Sequence, residues 1–198
     1  MTTARSALTP GAGTRSVALP LVAILAAALV VRLLLLPSQG FHNDIAAFEA
    51  WTLTLQSNPP WQFYAKTTFA DYPPGYFIVL WFISGIYSVL GHLHVADPSY
   101  FVLRILVKLP ALVMDLVDTV LIYALVRRYA SEAAALGAAA LFALNPATIY
   151  VSAYCGQVDS VSWGFVLLAM WLALRSGDEP ERAVPRLSCA WLALTFSI

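Results

Sequence analysis

Residues 41–75 read FHNDIAAFEAWTLTLQSNPPWQFYAKTTFADYPPG, and the whole fold turns on this polar, aromatic-rich stretch, because the sequence on either side of it is strongly apolar. It gathers Asp44, Glu49, Asp71, His42 and two tryptophans into one connection. Connections of that length inside a compact domain are usually functional. The expectation is an outer loop that carries a site, held between membrane-spanning helices.

Composition points the same way. The 198 residues are 60% hydrophobic and 11% charged, with a mean hydropathy of +0.75, whereas soluble domains carry about 25% charged residues. The expected fold is an all-α polytopic membrane protein, since a chain in lipid must satisfy its backbone internally. A net charge of zero and a pI of about 6.8 leave no basic surface for nucleic acid. Cys155 and Cys189 lie in or beside apolar runs and form neither a disulfide framework nor a metal-ligand spacing, so free thiols are expected.

Before the loop, residues 1–16 are small and polar with Arg5 and Arg15 and no acid, and residues 17–36 are apolar except for Arg32. That run is about 30 Å long as a helix, the thickness of the hydrocarbon layer. A cleaved leader would have a shorter apolar core, about 7–15 residues, with a small-residue cleavage site close behind. An uncleaved span at 17–36 and a cytoplasmic tail at 1–16 are therefore predicted. Arg32, about one turn from the outer end, fits a snorkelling arginine or one that faces an anionic head group.

Inside the loop, the run from Ile45 to Gln56, closed by Ser57-Asn58-Pro59-Pro60, predicts a surface helix with Asp44 in its first turn and Trp51 as an interfacial anchor. An N-cap and a catalytic acid fit Asp44 equally. Glu49 reads as a solvated or ion-paired surface acid. Trp61, Phe63, Tyr64 and Phe69 fit stacking on a sugar face and an aromatic belt equally.

Tyr76 to Leu90 contains no charge, but as a helix it covers only about 22 Å, short for a crossing. Arg5, Arg15, Arg127, Arg128, Arg175, Arg182 and Arg186 make up seven of the 11 basic residues. All seven share the cytoplasmic side only if that segment does not cross. The outer loop is therefore predicted over 37–100, with 75–92 interfacial or re-entrant.

A second span at 101–126 carries Arg104, Lys108, Asp115 and Asp118, each costing about 2.5–3.5 kcal/mol on insertion scales, so they should face protein, water or a ligand. Arg104 and Lys108 lie near the outer end, at the depth of a phosphate. Lys108, Asp115 and Asp118 fit an internal ion pair or a functional role. The third span, 133–152, should kink at Asn145-Pro146. The fourth, 160–174, follows Gly156-Gln157-Val158-Asp159-Ser160, where Gly156 reads as a helix stop and Asp159 as the next cap, on the same membrane face as Asp44. A fifth apolar segment starts at 187 and is too short to cross by 198, so the chain is expected to be the first part of a longer protein.

Taken in order, Asp44, Asp71-Tyr72-Pro73-Pro74-Gly75, the run from Lys108 to Asp115, Leu144-Asn145-Pro146-Ala147 and Gly156–Ser160 resemble the GT-C glycosyltransferases. The pattern is most similar to bacterial relatives of the second mannosyltransferase of GPI-anchor synthesis, and less so to the dolichyl-phosphate-glucose-dependent glucosyltransferases. The resemblance implies inverting transfer of a hexose, mannose first, from a polyprenyl-phosphate-linked donor to a glycan, lipid or protein acceptor at the outer face of the cell membrane. It implies Asp44 as general base. Asp159 with Gln157 would orient substrate hydroxyls, Asp71 and Tyr72 would line the same site, and Arg104 and Lys108 would face the donor phosphate. In the oligosaccharyltransferase branch the acids of both loops bind a divalent cation. Here each cluster offers one close carboxylate, not an Asp-x-Asp pair, and no cofactor or metal is expected. The residues alone leave open a transporter or proton-coupled channel built on Lys108, Asp115 and Asp118, or an inactive fragment. A transporter would favour mid-span charges and short loops, whereas here the longest polar segment and most aromatics lie outside.

Overall fold

The computed structural model describes residues 13–94 and 99–196, with side chains of the first helix from residue 19 onward. Most of the tail expected at 1–16, with Arg5 and the Arg15 side chain, lies outside the described residues.

Helices account for all the regular structure among the described residues. First comes α1 (Gly13–Leu35), and then α2 (His42–Ser57), which ends where Asn58 turns extended ahead of Pro59-Pro60. A 3-10 turn (Pro60–Gln62) and the one-turn α3 (Phe63–Lys66) lead to α4 (Pro74–His92). Pro74 opens α4 at the position where a missing N–H costs nothing. Next are α5 (Phe101–Tyr129), α6 (Glu132–Ala143), and α7 (Pro146–Ile149), which runs into a π-helical turn (Tyr150–Cys155). Finally α8 (Asp159–Asp178) and α9 (Ala183–Phe196) pack together as a hairpin.

The segment expected to lie in the interface or to dip and return is a single unbroken helix, α4. Re-entry would need a break that it lacks. With 19 residues it is long and apolar enough to cross a membrane by length and composition, as are α8 and the broken pair of α6 with Pro146–Cys155. Its packing lies elsewhere, parallel to α2. Tyr76 meets Phe48, Phe77 meets Trp51, and Ser88 accepts a hydrogen bond from Gln56 at 3.1 Å. Phe48, Trp51, Phe63 and Phe77 form the centre of this aromatic core, with the Phe63 and Phe77 rings 4.0 Å apart. Trp51 is therefore no interfacial anchor: it is buried, and its indole N–H donates to the Phe69 carbonyl at 2.9 Å.

The kink expected at Pro146 is a full break with a bend of 41°. Asn145 caps α7 by accepting the Ala147 N–H at 2.9 Å, which takes away the donor that would have closed on the Ala143 carbonyl. Arg32 meets that carbonyl at 2.7 Å through Nη1, while its Nε binds Asp115 Oδ2 at 2.7 Å. Arg32 is fully buried, so it neither snorkels nor faces a head group; it joins α1, α5 and α6.

Candidate active site

The two loops are tied together before any acid is considered. The Phe41 N–H donates to the Cys155 carbonyl at 2.9 Å, and the Ser38 hydroxyl donates to the Tyr154 carbonyl at 2.9 Å. Two glycines with positive φ permit this approach. A Cβ on Gly40 (φ +74°) would stand 2.9 Å from the Cys155 carbonyl oxygen, and one on Gly156 (φ +84°) would stand 2.5 Å from Ile45 Cδ1. Gly156 also ends the π-helical turn, the stop read from the sequence.

Lys108 lies beneath the junction. Its ammonium donates to the Ser38 carbonyl at 2.8 Å, to Ser38 Oγ at 3.0 Å and to the Tyr154 carbonyl at 3.1 Å. All three of its donors are engaged and the side chain is fully buried, so Lys108 does not face a donor phosphate. It is a strut between the loops. Arg104 lies to one side, where Nη1 donates to Gln39 Oε1 at 2.6 Å and Nε stands 3.4 Å from Glu49 Oε1.

On this frame α2 carries Asp44 in its third position. The α2 cap is Phe41, which makes no side-chain capping bond, and the carboxylate of Asp44 instead accepts the side-chain amide of Gln157. Gln157 Oε1 in turn accepts the Tyr72 hydroxyl at 3.4 Å. Asp159 is the first residue of α8, and the cap is Val158, so the cap reading fails at both acids. Burial raises the pKa of Asp44 first, and the charges of Asp71 and Asp159 raise it further. Tyr72 is pushed up to about 12 by burial and then by Asp44, Asp159 and Asp71, so it remains a protonated donor. Asp71 and Asp159 are exposed beside them.

Asp44, Gln157, Tyr72, Asp71 and Asp159 thus come together, while Arg104 and Lys108 do not join them. Sequence reasoning missed Ser38 and Gly40. The turn residues Pro37-Ser38-Gln39-Gly40 were the available signal. Among the described residues no group of three or more His, Cys, Asp and Glu side chains could hold a metal ion. What the arrangement offers is a carboxylate of heightened proton affinity at an open mouth, fixed by an amide and flanked by a phenol.

The family model described as Oligosaccharyl transferase STT3, N-terminal, matches residues 32–198 and so takes in both loops. No curated protein and no solved structure matches. The chain belongs to the STT3 oligosaccharyl transferase family, and is with it a membrane glycosyltransferase of the GT-C kind.

Proposed function

We propose that the protein moves a sugar from a polyprenyl-phosphate-linked donor to an acceptor hydroxyl at the outer membrane face, with inversion, and that Asp44 is the general base. The observation that carries this reading is the Gln157 bridge, which holds Asp44 beside Tyr72 with two further acids at the mouth. Asp44 takes the acceptor proton as the acceptor oxygen bonds to the anomeric carbon. The bond from that carbon to the phosphate oxygen breaks with its electron pair, releasing polyprenyl phosphate. Neither of the two cations expected to face that phosphate stands among the acids: the loops engage Lys108, and Gln39 and Glu49 hold Arg104 to one side. An apolar groove of about 190 Å³ begins at Tyr72 and Asp159 and continues past Val79, Val161 and Phe165, which suits a lipid tail held in the bilayer.

Sidedness follows from counting crossings. Asp44 and Gln157 touch, which supports an even number of spans between them; the proposal counts α5 and the broken α6 pair as those two and lays α4 along the outer face beside α2. Lys108, under the loops, is twenty residues from Arg128, about 30 Å along α5. Arg128 pairs with Asp178, and Arg186 donates to the Arg175 carbonyl, so the arginines gather at the end opposite the acids.

The sequence resemblance favours a hexose, mannose first. The family match favours a second reading, transfer of a preassembled oligosaccharide. The purified protein in liposomes is offered a panel of radiolabelled polyprenyl-linked monosaccharides and oligosaccharides. Transfer from one donor by the wild type, and almost none by Asp44→Asn, is expected. Undiminished turnover in the variant removes Asp44 as base, and transfer from oligosaccharide donors alone selects the second reading.

A further inference from the structure

At the end of α5 and α8 far from the acids lies a pocket of about 360 Å³, with Arg127, Arg128, Trp171, Arg175 and Asp178 in its wall. The three arginines and Asp178 belong to the last turns of the two helices, so the pocket opens at the depth where lipid head groups begin. None of these residues serves sugar transfer.

Most of the charge here is already paired, and the pairing singles out one cation. Arg127 Nε donates to Glu132 Oε2 at 2.6 Å, and Arg128 Nη2 donates to Asp178 Oδ1 at 2.7 Å. Glu179 accepts a hydrogen bond from Arg186 at 2.7 Å and stands 3.6 Å from Arg182; Arg175 is 3.9 Å away from it, beyond hydrogen-bond reach. Among the described residues the Arg175 guanidinium makes no hydrogen bond, and it lies over the Trp171 ring, 5.1 Å from its centroid. Nor is it spent on a helix end, because Arg186 donates to the Arg175 carbonyl and Arg127 to the Ala130 carbonyl. Arg127, Arg128, Arg175, Arg182 and Arg186 meet only Glu132, Asp178, Glu179 and Glu181 at this end, which leaves one positive charge in surplus among the described residues. A surplus of one suits a phosphodiester monoanion.

What continues from the pocket is apolar. α5 packs chiefly on α6 and α8, yet Val113, Val117 and Val120 remain exposed. With Ala124 in the pocket wall and Arg127 beyond it, their spacing of four and three residues puts them on one face of the helix. Val117 is ten residues from Arg127, about 15 Å along α5, which is the hydrocarbon depth of one leaflet. A free phosphate would leave this stripe uncovered. A lipid covers it with a chain while its phosphate meets the guanidinium groups.

We infer that the pocket binds one anionic phospholipid from the leaflet at the arginine end, its phosphate on Arg175 and Arg127 and an acyl chain along Val120 and Val117. A zwitterionic lipid would bring a second cation against the surplus charge and binds more weakly. The inference needs only that the chain lies in a membrane, and it does not rest on the transfer reading. The purified protein in a non-ionic detergent, with no sugar donor, is titrated with phosphatidylglycerol, with phosphatidylcholine of the same chains and with inorganic phosphate, and bound adducts are read by native mass spectrometry. One phosphatidylglycerol adduct, formed at about tenfold lower concentration than the phosphatidylcholine adduct and not displaced by inorganic phosphate, is expected. Arg175→Gln should weaken it about tenfold. Arg182→Gln, which removes the same charge from the same end but outside the pocket, should leave it unchanged. If Arg175→Gln does not yield a folded protein, Arg127→Gln decides in its place. Equal binding of the two lipids, displacement by inorganic phosphate, wild-type affinity in the deciding variant, or an equal loss in Arg182→Gln overturns the assignment.

Discussion

Asp44, the proposed base, owes its raised proton affinity to where its carboxylate is held. Burial and the nearby charges of Asp71 and Asp159 raise its pKa, and a base works only when ionised. The transfer rate should therefore fall, on acidification, at a higher pH than an ordinary carboxylate would give. Asp71→Asn removes one of the raising charges, so its acid limb moves to lower pH. Profiles of kcat/KM against pH for the two proteins check this, and an unmoved limb contradicts it. Lys108 acts beneath the site. Lys108→Met leaves the Ser38 and Tyr154 carbonyls without their donor and should cost about 1–3 kcal/mol. Thermal unfolding in nanodiscs reads the loss. Spacing picked out both loop acids only as candidate caps or site residues, the family resemblance gave them their roles, and their partners left no trace. Gln157 is 113 residues from Asp44, and the acceptors of Lys108 are mostly backbone carbonyls, which leave no mark in a residue pattern.

Among the elements, ends were easier to read than faces. Pro146 and Gly156 act through their own backbone, and the break and the stop fall at them. Which side of a helix is buried depends on what packs there. Trp51 looked like a membrane anchor until α4 covered it, and Arg32 looked lipid-facing until α5 brought Asp115 to it. The loop that carries Gln157 depends on Gly156. Gly156→Ala must adopt φ +84° with a Cβ 2.5 Å from Ile45 Cδ1. The expected cost is about 1–3 kcal/mol of stability, with a fall in transfer rate as Gln157 is displaced from Asp44. Chemical denaturation and a transfer assay on the same preparation check both. A variant as stable and as active as the wild type contradicts the role of this turn.

For the whole molecule, the composition made the membrane class and the helical fold plain, while the sidedness that charge counting favours belongs to the proposal. The sequence could not show that α4 lies along α2, since its length and apolarity alone also suit a crossing. Contact between Asp44 and Gln157 argues against that crossing, because three spans would place them on opposite sides. We propose that both loops build one centre on a single side of the membrane, opposite the arginines. Impermeant maleimide labelling tests it most directly, using the single substitutions Thr68→Cys and Arg182→Cys in a background where Cys155→Ser and Cys189→Ser remove the native thiols. Thr68→Cys is expected to be labelled in intact cells and Arg182→Cys only after permeabilisation. Labelling of both in intact cells, or of Arg182→Cys alone, would contradict it.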